Sequence, residues 1–224
     1  PGPLTIVVSK HSDVPDAATA GLHTVAIRSP QHELTRAVMK AVGVPLSAPS
    51  ANRSGKVSPT CVAHVARDYA EIPEAADLLV LDGGPCEAGL ESTVIDLSGD
   101  GPRLLRVGSI SVEAIEAVLG ASVAIVAPTS QAASPGTRSQ HYAPNTPLRL
   151  IDREDLRNAL DTGEPTCVIG PSTLTIGPPH THLVMPDTHQ PAAKALYGLL
   201  READLTNTPR IIVVRPPPDP EWQA

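Results

Sequence analysis

Phenylalanine is missing from this 224-residue sequence, and aromatic residues make up only 2% of it. A core must therefore be assembled from Val, Leu, Ile and Ala, and platforms on which nucleic-acid bases stack are nearly excluded. No apolar run approaches the roughly 18 residues that a membrane span requires. The opening Pro1-Gly2-Pro3-Leu4 has no initiator Met and no basic stretch leading into an apolar one, so no signal peptide is visible and the chain is expected to be cut at its start. The cysteines, Cys61, Cys86 and Cys167, are odd in number and lack zinc-ligand spacing, which reads as reduced thiols in a cytoplasmic protein. The 8 histidines form no H-E-x-x-H or paired spacing, so protein-held zinc is not expected. Walker-type, G-x-G-x-x-G and G-x-S-x-G runs are all absent. The net charge of −7, with Lys and Arg scattered, argues against a broad nucleic-acid surface but leaves room for a small nucleotide pocket.

What is abundant is proline: 25 residues, roughly double the usual ~5% frequency. The prolines punctuate apolar runs instead of forming one low-complexity tract. Runs rich in Val, Ile and Leu, each closed by turn residues, predict strands at 4–8, 24–28, 78–82, 93–97 and 103–107. Helical patterns lie between them, at 32–42 after Ser29-Pro30, at 60–70 after Ser58-Pro59, and at 111–119 before Gly120. Residues 127–147 have no hydrophobic period and read as a linker or lid. Strands at 148–151, 166–170, 182–185 and 210–215, with helices at 153–160 and 192–203, then suggest a small parallel α/β domain. It is expected to stop short of a closing helix. The predicted organisation is a first domain over 1–126, the linker 127–147 and a C-terminal domain over 148–224.

The densest chemical signal is 47–60, SAPSANRSGKVSPT, between a strand-like 44–48 and a predicted helix. Such a loop can aim backbone N–H groups, hydroxyls and a helix N-terminus at phosphate oxygens. It is equally compatible with an ordinary solvated loop, since Ser, Gly and Pro fill loops everywhere. Residues 91–96, ESTVID, set a carboxylate and two hydroxyls at the mouth of a strand. Residues 103–108, RLLRVG, carry Arg106 just before Gly108, where a ligand could approach the backbone closely. In the linker, 134–144 reads SPGTRSQHYAP. Its Tyr142 is either an anchor for the linker or a lid residue over a ligand.

Taken in order, P-G-P-L-T-I-V, H-T-V-A-I-R-x-P-x-H, A-P-S-A-N-x-S-G-x-x-S-P-T, E-S-T-V-I-D and L-R-x-G-x-I resemble the YrdC-like threonylcarbamoyl-AMP synthases. The S-P-G-x-x-x-x-H-Y-A-P linker and trailing α/β domain are similar to the two-domain members. The resemblance covers nearly the whole chain, and A-P-S-A-N-x-S-G is its most specific part. It implies a twisted, open YrdC-like α/β sheet with helices, followed by a small Rossmann-like parallel domain. It also implies a nucleotidyltransferase that makes threonylcarbamoyl-AMP and pyrophosphate from L-threonine, bicarbonate and ATP. A downstream tRNA threonylcarbamoyltransferase complex would then use the product to modify the adenosine at tRNA position 37.

Carried over by position, the resemblance implies that Thr24, Ser50, Asn52, Ser58, Arg106 and Tyr142 contact ATP, and that Arg28, Ala48 and Ser92 hold threonine. Arg28 suits a carboxylate because its planar guanidinium can bind it in bidentate fashion. No residue is assigned as acid or base, which fits a reaction driven by positioning and charge stabilisation. Magnesium is expected to come with ATP, with no metal held by the protein alone. Neither a membrane nor stable direct contact with nucleic acid is expected. The chain departs from the family in lacking the basic K-x-R segment that precedes P-G-P-L-T. Lys10 and Lys56 stand elsewhere, and Thr137 and Ser139 occupy linker positions where relatives carry Met and an aromatic. Two other readings are a non-catalytic truncated remnant that binds nucleotide or threonine, and an RNA-binding module.

Overall fold

The apolar runs become two separate sheets in the computed structural model, which describes residues 1–126, 143–219 and 222. Tyr142 and the linker residues up to it lie outside the described residues. By packing, the described residues divide into two compact units, one of 1–49 with 91–126, the other of 50–90 with 143–219 and 222. Segment 50–90, placed by sequence in the first domain, thus packs with residues of the C-terminal one.

The first unit contains β1 (Leu4–Ser9), β2 (Thr24–Arg28), β3 (Thr93–Asp96), β4 (Arg103–Arg106) and β5 (Ala124–Ile125), with helices α1 (Asp16–Thr19), α2 (Glu33–Val42) and, further along the chain, α4 (Val112–Leu119). Its five strands form a mixed sheet in the order β2-β1-β3-β4-β5. β1 runs antiparallel to β2 and parallel to β3, β3 antiparallel to β4, and β4 parallel to β5. Alternation sends Leu4, Ile6, Ile95 and Leu104 to one face, where they pack with Ile115 and Val112 of α4 and with Val123. α4 begins where the Ser111 hydroxyl accepts from the Ala114 amide at 3.3 Å, and ends at Gly120 with φ of 65°.

In the second unit α3 (Val62–Tyr69) lies in segment 50–90. β6 (Leu148–Ile151), α5 (Leu156–Leu160), β7 (Cys167–Pro171), β8 (Thr181–Met185), α6 (His189–Leu205) and β9 (Ile211–Val214) follow it along the chain. The four strands are all parallel, in the order β6-β9-β7-β8. Cys167, Ile169, Ile211 and Val213 face Tyr197, Leu200 and Ala203 of α6. Val168, Ile212, Val214 and Ile151 face Leu156 and Leu160 of α5. Helices on both faces explain why the central strands, Cys167–Ile169 in β7 and Ile211–Val214 in β9, read as unbroken apolar runs. The α/β fold, an open twisted sheet plus a parallel Rossmann-like one, is as the sequence implies. Among the described residues no helix is long and apolar enough to cross a membrane.

Several local expectations fail. Residues 78–82 and 44–48 form no strand, and Leu79 is 81% exposed, because an apolar run without a hydrogen-bonding neighbour does not make a ladder. The helix expected at 32–42 does form, as Glu33–Val42, with His32 as its N-cap, whose ring accepts from the Thr35 amide at 3.4 Å. The one expected after Ser58-Pro59 starts at Val62, with Cys61 as its N-cap. α1 and the two-residue β5 are too short to leave a periodic signal.

Candidate functional site

The predicted residues fall into both units. In the mixed sheet, Arg28 is paired with Thr5 across β2 and β1, Thr5 with Val94 across β1 and β3, and Val94 with Arg106 across β3 and β4. Directly opposed residues point to the same side of a sheet, so these four form one row on the face opposite the α4 core. Arg28 and Arg106 stand at its ends, three strand spacings or roughly 14 Å apart.

Arg106 reaches this face through an irregularity. Val94 is opposite Arg106, but Ile95 is opposite Leu104, so Leu105 is an extra residue in β4. Without that bulge, period-2 alternation would place Arg106 with Leu104 in the apolar core. A bulge re-aims the chain beyond it, and here it brings a cation onto the polar face. Arg106 Nε donates to the Ser92 carbonyl at 3.0 Å, and Nη2 donates to Ser92 Oγ at 3.1 Å. Ser92 Oγ lies 2.7 Å from Thr5 Oγ1 and is buried. Ser92, two residues before Val94, is thus fixed between a cation and a hydroxyl.

Arg28 is exposed and its side chain has no hydrogen-bond or ion-pair partner among the described residues. The carboxylate on this face, Asp96, is already engaged. It accepts from the Ser98 amide at 2.8 Å, from the Ser98 hydroxyl at 2.6 Å and from Arg103. Burial works against the charged carboxylate, but the Ser98 hydrogen bonds and Arg103 outweigh it and hold its pKa below the usual aspartate value. Among the described residues it is Arg28 that presents uncompensated positive charge on this face, alongside the Thr5 and Ser92 hydroxyls.

Thr24 shares Arg28's face but pairs with Ser9 at the other end of β2, about 13 Å along the strand at ~3.3 Å per residue. Ala48 is exposed and outside any regular element. Gly108 packs against the protein itself on its Cβ side. A Cβ there would stand 2.4 Å from the Thr93 amide nitrogen and 2.6 Å from the Glu91 carbonyl oxygen, so it is the protein's own backbone that comes close. That contact seats the stretch carrying Ser92.

Ser50, Asn52 and Ser58 lie together in the second unit. Ser50 Oγ donates to Asn52 Oδ1, and Asn52 Nδ2 donates to the carbonyls of Arg53 at 3.0 Å and Lys56 at 2.8 Å. Asn52 thus ties the loop to itself, with Ala51 at φ of 57° and Gly55 at 78° allowing the tight path. Ser50 is exposed, whereas Ser58 is buried at the loop's outgoing end. Lys56 donates to Asn145 Oδ1, and Lys10, in the first unit, pairs with Asp16.

Sequence reading missed Thr5, although the alternation of Leu4, Thr5 and Ile6 already sets a hydroxyl opposite the core. It also missed Arg201, whose signal was a cation four residues after Tyr197 within the apolar stripe of α6.

Residues 1–108 match the family described as telomere recombination, and residues 110–224 match the family described as threonylcarbamoyl-AMP synthase, C-terminal domain. The threonylcarbamoyl-AMP synthase of Pyrococcus abyssi is 35% identical over 226 residues, covering 95% of this chain and 64% of the relative. The one from Bacillus subtilis is 42% identical over 156 residues, covering 68% of this chain and 44% of the relative. The crystal structure of P. abyssi Sua5 complexed with L-threonine aligns with a TM-score of 0.83 at 35% identity, over 96% of this chain and 65% of that one. The chain thus spans less than two thirds of the length of these relatives. With its C-terminal match alone extending over residues 110–224, more than half of its length, the chain belongs to the two-domain threonylcarbamoyl-AMP synthase family.

Proposed function

We propose that the protein is an L-threonylcarbamoyladenylate synthase. Threonine's amine condenses with bicarbonate to give N-carboxy-threonine and water. An oxygen of the new carboxylate then attacks the α-phosphorus of ATP, and pyrophosphate leaves. The observation that carries this reading is the row from Arg28 to Arg106, with Ser92 fixed beside it on the face of the mixed sheet opposite the α4 core. Arg28 supplies an uncommitted planar guanidinium for the threonine carboxylate, and Ser92 a fixed hydroxyl. Arg106 holds positive charge where anionic oxygens of carboxylate and phosphate build up. Thr24 and the Ser50, Asn52 and Ser58 loop are assigned to ATP, and Ala48 to threonine, on the motif resemblance. Tyr142 is assigned to ATP on the same basis.

Cations and hydroxyls suit phosphate oxygens and not a bare divalent ion, and Asp96 is committed to Ser98 and Arg103. Magnesium is accordingly assigned to the triphosphate that brings it, where it neutralises phosphate charge. The product would pass to a tRNA threonylcarbamoyltransferase complex, which sets the work in the cytoplasm. The P. abyssi protein crystallised with L-threonine supports threonine as the amino acid. The test is mass-spectrometric detection of threonylcarbamoyl-AMP after incubation with ATP, magnesium, bicarbonate and threonine. Product that requires all of them supports the proposal, and an adenylate formed without threonine overturns it.

A further inference from the structure

α6 does more than cover the parallel sheet. Arg201 is 9% exposed and directs its guanidinium at segment 50–90. Nε donates to the Ser58 carbonyl at 3.2 Å, and Nη2 donates to the Val57 carbonyl. Nη1 donates to Asp68 Oδ1 at 2.9 Å and Nη2 to Asp68 Oδ2 at 2.6 Å, a fork-to-fork pair. A buried guanidinium is tolerated only when its charge and donors are answered, and here a carboxylate and two carbonyls do so.

Other contacts fasten the same segment to the same unit. Val57 is 3% exposed and belongs to the core cluster of Cys167, Ile169, Leu200 and Ile211. A Cβ on Gly89 would stand 2.3 Å from Lys194 Cα, so the segment's far end lies directly on the α6 backbone. Three residues after Arg201, Asp204 accepts from the amides of Asn145 and Thr146, both at 2.8 Å. Asn145 in turn receives Lys56, and the Ala143 amide donates to the Gly55 carbonyl at 3.1 Å. One face of α6 therefore fixes both the outgoing end of the Ser50–Asn52 loop and the chain that returns from the linker.

We propose that Arg201 is a positioning residue for the nucleotide loop, so that the C-terminal domain forms part of the ATP site through the Arg201–Asp68 clamp. The proposal rests on the reading above that this loop takes ATP. Its mechanism follows from peptide geometry. A trans peptide is planar with C=O and N–H opposed, so drawing the Val57 carbonyl toward Arg201 turns the Ser58 amide the other way. Pro59 has no N–H to be turned. Loss of the clamp frees the orientation of Ser58 and slackens the loop between it and Ser50.

The experiment is done on the full chain with Arg201→Met, Arg201→Lys and Asp68→Asn. Amide exchange is followed at Lys56 and Ala143, whose N–H groups bond within and to the loop, and in β7 and β9 as controls. Affinities for ATP and L-threonine are measured on the same samples. Arg201→Met is expected to speed loop exchange and weaken ATP about tenfold, the scale of losing a charged hydrogen bond, with threonine affinity and the control strands unchanged. Arg201→Lys, which keeps charge without the fork, is expected to fall between. Unchanged loop exchange overturns the proposal, as does exchange in β7 and β9 that rises in step, since that is a general loss of fold. Should Arg201→Met fail to fold, Asp68→Asn decides by the same readings. A wild-type chain that binds no ATP overturns the functional reading, while the exchange data still decide whether Arg201 holds the loop.

Discussion

In the parallel sheet, Ile211 through Val214 are all buried and a helix packs on each face, whereas β1 of the mixed sheet is half-buried and, among the described residues, its apolar cluster packs on the α4 side. The central strands β7 and β9 of the parallel sheet are thus closed in, with residues there for cohesion. The mixed sheet keeps its second face for Arg28, Thr5 and Arg106, groups that a core could not hold without partners. Under the proposed function, cohesion and chemistry are divided between the two sheets, and the proposed role of Arg201 on α6 would let the cohesive unit also serve the chemistry.

The sharpest way to break that comparison is to truncate one isoleucine on a strand of each sheet. Ile169 is 0% exposed between α6 and its strand neighbours, so Ile169→Ala should cost about 2–5 kcal/mol. Ile27, at 51% exposure on β2, should change stability by less than about 0.5 kcal/mol on the same substitution. Denaturant midpoints of the two variants measure the contrast. Equal losses would mean that the mixed sheet is as tightly packed as the parallel one.

Next come the two glycines seated on backbone. Gly108→Ala presses a methyl into Thr93 and Glu91, and should cost about 1–3 kcal/mol by overpacking. Because the displaced stretch carries Ser92, L-threonine affinity should fall by more than the loss of stability accounts for. Gly89→Ala meets Lys194 and forces a side chain to φ of 73°, with a comparable loss of stability. Its effect on ligands should fall on ATP and spare threonine. Calorimetry of both variants with each ligand separates the two units, and a shared pattern would erase the distinction.

These positions also show where sequence is informative. The strands of both sheets other than β5, and the helices of the parallel domain, were legible because their apolar period is local. So were the Arg28, Ser92 and Arg106 motifs as residues. That Arg28 and Arg106 share a row was not legible, because RLLR carries no mark of the bulge at Leu105, and strict alternation puts Arg106 in the core. Nor could the association of segment 50–90 with α6 be read. It rests on contacts such as Arg201 with Asp68, which are far apart in sequence and leave no periodic trace. Residues 78–82 misled for the converse reason, having strand composition and no neighbour to pair with.

Acid should distinguish the units at smaller amplitude. In the second unit, burial and then the charges of Arg201 and Arg67 hold the His64 pKa below its usual value against the pull of Asp68. Its Nδ1 accepts from the Thr60 amide at 3.1 Å, which requires that nitrogen to be unprotonated. The unfolded chain takes up the proton first, at about pH 6.5, so stability should fall as pH drops from there to the lower folded value. In the first unit Asp96 is also depressed, but as an acid. Its contribution is whole above an ordinary aspartate pKa of about 3.9 and is lost as pH falls through the folded value. His64→Gln should remove the slope near pH 6, and Asp96→Asn the one below pH 4. Midpoints measured across both windows check the assignment.

The smallest effect is expected at Arg103, and its smallness is informative. Arg103 pairs with Asp96, but its side chain is 49% exposed while that of Asp96 is 8% exposed. Solvent and salt screen the attraction on the arginine side, so Arg103→Ala should cost no more than about 1 kcal/mol. Asp96 keeps the Ser98 amide and hydroxyl after the change, so its carboxylate is not left bare. The open question is whether Asp96 would then compete for the cations of its own face. If Ser98 suffices to hold it, Arg103→Ala leaves threonine and ATP affinity within about twofold and loses stability modestly, with the deficit shrinking in high salt. If ligand affinity instead falls while stability holds, Arg103 is what keeps Asp96 from neutralising the face, and the polar side of the mixed sheet depends on its ion pair as well as on its bulge.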